Sequence, residues 1–152
     1  MGAAPHSSAH SDRRGTVTLT ILSRLEELAA VHEVLSDLAR KNEVNEEATT
    51  AILIAVIEAG TNAIQHGNVF ADDKRVTFDF KIASGEFVAW VDDYGKGFNP
   101  DKVGNPTDPS ALLSPHGRGL YLMRSLMDEV RFQTRQDHGT TVFLKKRVGA
   151  GA

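Results

Sequence analysis

A chain of 152 residues with 41% hydrophobic side chains is long enough to bury one core without covalent staples. Its net charge of −3, with histidines neutral, provides no global positive field to hold nucleic acid or an anionic membrane. The absence of cysteine excludes disulfide frameworks, thiolate chemistry and cysteine-based zinc sites, and is compatible with a reducing cytoplasm.

Residues 1–15 hold Ala, Ser, His and Gly with Arg13-Arg14 and lack the apolar segment of a signal peptide. They read as a mobile tail, as do residues 148–152, which leaves one domain over 16–147. No apolar run approaches the roughly 18 residues needed to span a bilayer. Thr16 to Leu22 alternates β-branched and apolar residues, the pattern of a strand. Ser23 followed by Glu26 has the form of a capping box, and apolar positions from Leu25 to Ala39 mark a helix to about Arg40. Asn45 opens a second helix, with Glu46 and Glu47 at its positive dipole end. That helix is expected to run to His66, with Gly67 as a left-handed stop.

Two strands follow, Arg75 to Ile82 and Glu86 to Asp92, joined through Ala83-Ser84-Gly85 as a tight hairpin. Between 98 and 116 no periodicity survives, and four of the five prolines lie there. A loop of that length in one domain is expected to be a lid or binding loop, or disordered. A third helix is expected from Gly117 to about Val130, with Leu120, Met123, Leu126, Met127 and Val130 on one stripe. Strands over Arg131 to Arg135 and Thr140 to Lys146 close the chain. The order predicts an α+β fold, a two-layer sandwich of a mostly antiparallel mixed sheet with helices on one face.

On a helical wheel with Glu58 at 0°, Asn62 falls at about 40° and His66 at about 80°. Ile52, Leu53, Val56, Ile57, Ala59, Ala63 and Ile64 fill the opposite arc, which faces the sheet. A carboxylate and an amide thus share one helical face toward its C-terminal end. An amide oxygen at Asn62 can complete an octahedral Mg²⁺ that also holds phosphate oxygens, and Glu58 can orient or deprotonate an attacking hydroxyl or water. Asn is a mediocre helix former, and Gly60 in the buried arc is expected to serve close packing.

Asp93-Tyr-Gly95-Lys-Gly97 follows the strand ending at Asp92. An Asp there can accept from an exocyclic amino group, and the glycines let the backbone approach a ligand. It is neither a Rossmann fingerprint nor an EF-hand. Gly117-Arg118-Gly119-Leu120 opens a helix, where free N–H groups and the dipole attract anions and Arg118 adds a charge-assisted donor. It lacks the Walker A ending, and the histidines lack transition-metal spacing. The Thr140 hydroxyl, after Gly139, is placed near an adenine if a nucleotide binds.

Together these stretches resemble the GHKL (histidine-kinase-like) ATPase superfamily, most closely its anti-sigma-factor serine/threonine kinase branch (RsbW-like). The likeness covers about 16–147. It rests on Glu58-Ala-x-Thr-Asn62-Ala-Ile-x-His66, Asp93-x-Gly95-x-Gly97-Phe98, Gly117-x-Gly119-Leu120, the following Leu126 to Val130 and Gly139-Thr-Thr-Val142 in family order. The resemblance implies a Bergerat-type ATP-binding fold with ATP and Mg²⁺ as cofactors. It implies Asn62 as Mg²⁺ ligand, Glu58 as general base and Asp93 on the adenine amino group. Gly95 and Gly97 would shape the adenine pocket, and Gly117, Arg118 and Gly119 would hold phosphates under a lid over about 99–116. It further implies a kinase acting on a small STAS-type anti-anti-sigma partner, a sequestered sigma factor and a homodimer. Gly60, where an apolar residue is commoner, and the proline-rich lid depart from the pattern. Competing readings are a non-catalytic ATP-binding partner-switching module and, ranked lower, a histidine-kinase catalytic domain. The latter would follow a dimerising helical hairpin, and only about 15 residues precede this domain.

Overall fold

The computed structural model describes residues 12–96, 115–136 and 139–149. Strand β1 is Val17–Leu22; a 3₁₀ turn, Leu25–Glu27, leads into helix α1, Leu28–Lys41. Helix α2 is Glu46–Asn62 and continues as one π-helical turn, Ala63–Gly67. Strands β2, Arg75–Ala83, and β3, Glu86–Asp92, precede helix α3, Pro115–Leu126, then β4, Glu129–Thr134, and β5, Thr140–Arg147. The five strands form one sheet in the order β1-β2-β3-β5-β4, and all four pairings are antiparallel.

The element order follows the sequence pattern, because alternation and helical period are local signals. Asn45 caps α2 as expected, its side-chain oxygen accepting from the Ala48 N–H at 2.8 Å. The β2–β3 hairpin turns through Ser84 at φ 53° and Gly85 at φ 74°, the doubly left-handed geometry that suits the sheet twist.

Four local expectations are corrected. Ser23 forms no capping box: it is buried, its hydroxyl donates to the Lys74 carbonyl at 2.8 Å and accepts from the Asn68 amide at 2.7 Å. Gly67 is not left-handed; the residues with positive φ are Val69 and Phe70 instead. Helix α3 ends at Leu126, so Val130 belongs to β4, where it pairs with Leu144. The ends of the domain reach past 16–147. Val148 is buried and its N–H donates to the Gly85 carbonyl at 2.9 Å, while Arg13 lies on the sheet. Residues 1–11, 97–114, 137–138 and 150–152, including the expected lid up to Ser114, lie outside the described residues.

One face of the sheet carries Val76, Phe78, Phe80, Phe87, Ala89, Val91, Val142 and Leu144, which pack with Ile52, Val56, Ile64 and Met123 from the helices into one core. Gly60 does what the wheel predicted: a methyl there would come within 2.8 Å of Leu28 Cδ2 and 3.0 Å of Phe78 Cζ. Ala51 and Ala55, on the polar side of the wheel, are also buried, because α3 packs along that side of α2. With its π turn this helix is 22 residues, long and apolar enough by composition to cross a membrane. More than half of its most apolar stretch is inside the protein, the position of a core helix. The opposite face of the sheet carries Trp90 against Phe143, with ring centroids 5.5 Å apart, and the buried pair Asp79 and Asp92.

Candidate nucleotide site

Helix α2 presents Glu58 and Asn62 one turn apart, and the N-terminal part of α3 lies across them. A methyl built on Gly119 would sit 2.8 Å from Glu58 Oε2, 3.5 Å from Asn62 Nδ2 and 3.7 Å from Asn62 Oδ1. A side chain at 119 would crowd the Glu58 carboxylate, while its approach to Asn62 would be ordinary van der Waals contact. A carboxylate and an amide therefore face α3 about one turn in from Pro115, next to the helix end where backbone N–H groups lack intrahelical partners. Burial pushes the Glu58 carboxyl above its ordinary value, and the neighbouring Arg118 guanidinium opposes that shift. Arg118 is itself exposed, free to reach an anion bound at the helix end.

The other end of the site is built around Asp93, which is 4% exposed. Its backbone extends the β3–β5 ladder: the Asp93 N–H donates to the Thr140 carbonyl at 3.0 Å. Its carboxylate accepts from the N–H of Gly95 at 3.0 Å and of Thr140 at 3.2 Å through Oδ1. Burial raises its pKa, against the lowering effect of those two N–H groups and of Arg135. Three glycines make the cluster possible. A methyl on Gly67 would overlap the Asp93 carboxylate, one on Gly95 would overlap the Gly67 carbonyl, and one on Gly139 would overlap the Asp93 carbonyl. The π turn widens the end of α2 and brings Gly67 beneath Asp93, so one helix carries Glu58 and Asn62 at one end of the site and supports Asp93 at the other.

The structure thus brings Glu58, Asn62 and Gly119 together, and separately Asp93, Gly95 and Thr140. Gly117 lies in the first turn of α3, and Gly97 lies outside the described residues. Leu120, the last residue of the Gly117-x-Gly119-Leu120 motif and a candidate binding residue on sequence, is 3% exposed and packs in the core. Three further residues shape the site. Arg135 donates to the Asp93 carbonyl and stacks 4.9 Å from the Tyr94 ring centroid. Asn68 accepts from the Tyr94 N–H at 2.8 Å and donates to the Arg75 carbonyl at 2.9 Å, tying the loop to β2. Gly67, which has the sequence form of a helix stop, makes room for the Asp93 carboxylate. Nothing local marks the first two; Gly67 directly after the His66 motif was the available signal.

The residues fit an adenosine phosphate on two observations. The Thr140 hydroxyl oxygen is buried beside Asp93 with no hydrogen-bond partner among the described residues, an orphan that a bound polar group would satisfy. At the other end, the close approach at Gly119 sets an acid and an amide against α3 within a turn of its N-terminus. Among the described residues no group of three His, Cys, Asp or Glu side chains can hold a metal, so a cation here would depend on Asn62 and ligand oxygens.

Residues 21–146 match the family of the histidine kinase-like ATPase domain. The chain belongs to that family. Among curated relatives, the serine-protein kinase RsbW of Bacillus subtilis is 33% identical over 138 residues, covering 86% of this chain and 84% of that one. RsbW of Bacillus licheniformis is 35% identical over 127 residues, covering 80% and 78%. The anti-sigma F factor of Clostridium perfringens is 34% identical over 104 residues, covering 67% and 74%. Among solved structures, the RsbU and RsbW domains of a Mycobacterium tuberculosis protein superpose with a TM-score of 0.62 at 22% identity, over 88% of this chain and 33% of that one. The mycobacterial sensor histidine kinase MprB superposes with a TM-score of 0.54 at 16% identity, over 88% and 99%. These two likenesses show the fold.

Proposed function

We propose that this histidine kinase-like ATPase domain is an anti-sigma serine/threonine kinase: it binds ATP, phosphorylates a hydroxyl on a STAS-type anti-anti-sigma partner and sequesters a sigma factor. The observation that carries the reading is the meeting of Glu58 and Asn62 with Gly119 at the N-terminal end of α3. The relatives named serine-protein kinase and anti-sigma factor support the kinase and regulatory parts.

In this reading Asp93 accepts from the adenine amino group, with Thr140 beside it and Gly95 and Gly97 shaping the pocket. Gly117, Arg118 and Gly119 hold the phosphates through backbone N–H groups and the guanidinium. Glu58 takes the proton from the attacking hydroxyl, and its raised pKa brings it closer to the basicity that step requires. Asn62 is the residue that would ligate Mg²⁺, which when bound neutralises charge on the phosphates. Residues of about 99–116 are assigned as the lid. We place the protein in the cytoplasm as a homodimer, with the sigma factor and its antagonist competing for it.

The test is titration with ATP, ADP and GTP, with and without Mg²⁺, followed by labelling of STAS-type proteins with radioactive ATP. Binding of ATP over GTP and labelling of one such partner are expected. Nucleotide binding with no labelled partner would leave the non-catalytic partner-switching reading in place.

A further inference from the structure

The sheet face opposite the helices carries two aspartates whose side chains are only 10% and 9% exposed, Asp79 and Asp92. They are diagonal neighbours on adjacent strands, since Asp79 pairs with Trp90 and Asp92 with Thr77. Two buried like charges this close need cations. Arg13 provides one. Its Nη1 donates to Asp79 Oδ2 at 3.0 Å and to Asp92 Oδ2 at 2.5 Å, its Nη2 donates to Asp92 Oδ1 at 3.2 Å, and its guanidinium carbon lies 5.4 Å from the Trp90 centroid. The strap carrying it is held down by Lys81, whose Nζ donates to the carbonyls of Asp12 at 3.4 Å and Arg14 at 3.2 Å.

A second cation on Asp92 among the described residues is Arg135, and it is shared. Its Nη1 donates to Thr141 Oγ1 at 3.0 Å and reaches Asp92 Oδ1 at 3.4 Å, while Thr141 Oγ1 donates to Asp92 Oδ1 at 2.6 Å. Its Nη2 donates to the Asp93 carbonyl. One guanidinium therefore serves both the buried carboxylate of Asp92 and the backbone of the residue assigned to the adenine. How it divides depends on how much of the Asp92 charge Arg13 already neutralises.

We propose that Arg13 is a positioning residue for the adenine end of the site: by satisfying Asp79 and Asp92 from the far face of the sheet, it lets Arg135 keep its hydrogen bond to the Asp93 backbone. This inference rests on the assignment of Asp93 to adenine. Removing the Arg13 charge draws Arg135 toward Asp92 and loosens Asp93 and the Gly95 turn, while Glu58, Asn62 and Gly119 keep their helical framework.

The experiment is isothermal titration of the full chain and its Arg13→Gln and Arg13→Lys variants with ATP, ADP and GTP, well below the melting temperature of each. Arg13→Gln is expected to raise Kd for ATP and ADP about tenfold alike, so the ATP:ADP ratio holds while the ATP:GTP preference falls about tenfold. Arg13→Lys, a point charge without the fork, is expected to fall between. Adding Asp79→Asn to Arg13→Gln removes the surplus charge and is expected to restore part of the preference. An ATP:GTP preference within twofold of wild type in Arg13→Gln, or in Arg13→Lys should the first not fold, overturns the proposal, because a role in stability alone lowers the melting temperature and leaves that ratio in place. Asp93→Asn, measured in parallel, separates the two levels: if it leaves the preference untouched, the adenine assignment itself fails and takes this inference with it.

Discussion

A Gly119→Ala substitution adds one methyl group where α3 crosses α2. That carbon would stand 2.8 Å from Glu58 Oε2, well inside the separation that unstrained carbon and oxygen atoms keep, so something has to move. The atom in the way is the far end of a flexible side chain and not backbone, so the strain is relieved by turning the carboxylate aside, at about 0.5–1.5 kcal/mol for an off-rotamer torsion. Alanine in a helix returns up to about 1 kcal/mol over glycine, so stability is expected to change by less than about 1 kcal/mol. Catalysis has no such compensation. A displacement of the order of 1 Å in a positioned catalytic group lowers rates about 100-fold, and a general base contributes about 100- to 10,000-fold in all. We expect phosphoryl transfer to the partner to fall about 10- to 100-fold, with a rise in the ATP Kd because the same methyl narrows the approach to the helix end. Thermal melting followed by circular dichroism, with single-turnover transfer at saturating ATP, reads both quantities. Transfer within threefold of wild type, with the fold intact, would refute the placement of Glu58 as base against this helix.

Glu58→Gln is expected to abolish transfer while preserving ATP binding, and it has a signature in stability. The folded pKa of Glu58 is raised, so between the ordinary carboxylate value and the raised one the folded state holds more proton than the unfolded state. Its contribution to stability is greatest below that window and declines as pH rises through it; the glutamine variant should therefore melt higher than wild type at neutral pH, with the gain shrinking in acid. Asp93→Asn should weaken ATP by more than threefold, about 0.7 kcal/mol, in a calorimetric titration; a smaller loss removes Asp93 from the adenine. Gly60→Ala gains about 1 kcal/mol in helix propensity but forces a methyl against Leu28 and Phe78, at about 1–3 kcal/mol of overpacking. A net loss near 1 kcal/mol in urea unfolding is expected, and a stabilised variant would show that the core beneath α2 is looser than these distances imply.

The order of strands and helices, the Asn45 cap, the Ser84-Gly85 turn and the buried role of Gly60 were all legible in the sequence, because each follows from a local period or a turn preference. So was the pairing of Glu58 with Asn62, since 3.6 residues per turn places them on one face in any α-helix. Contacts between segments distant in the chain were decided by the tertiary structure. Ser23 had the local form of a cap, yet its hydroxyl went to Lys74 and Asn68, roughly 50 residues on, because burial on the sheet left those polar groups needing partners. Gly67 resembled a helix stop, but its missing side chain makes room for Asp93, and Val130 continued a helical stripe only until β5 supplied a strand to pair with. Arg13 and Val148 looked like tail because residue type alone does not report what a folded sheet places opposite it. The chain's own period determined which residues share a face; the charge pairing and close approach that turn those faces into a site arose only once the sheet had formed.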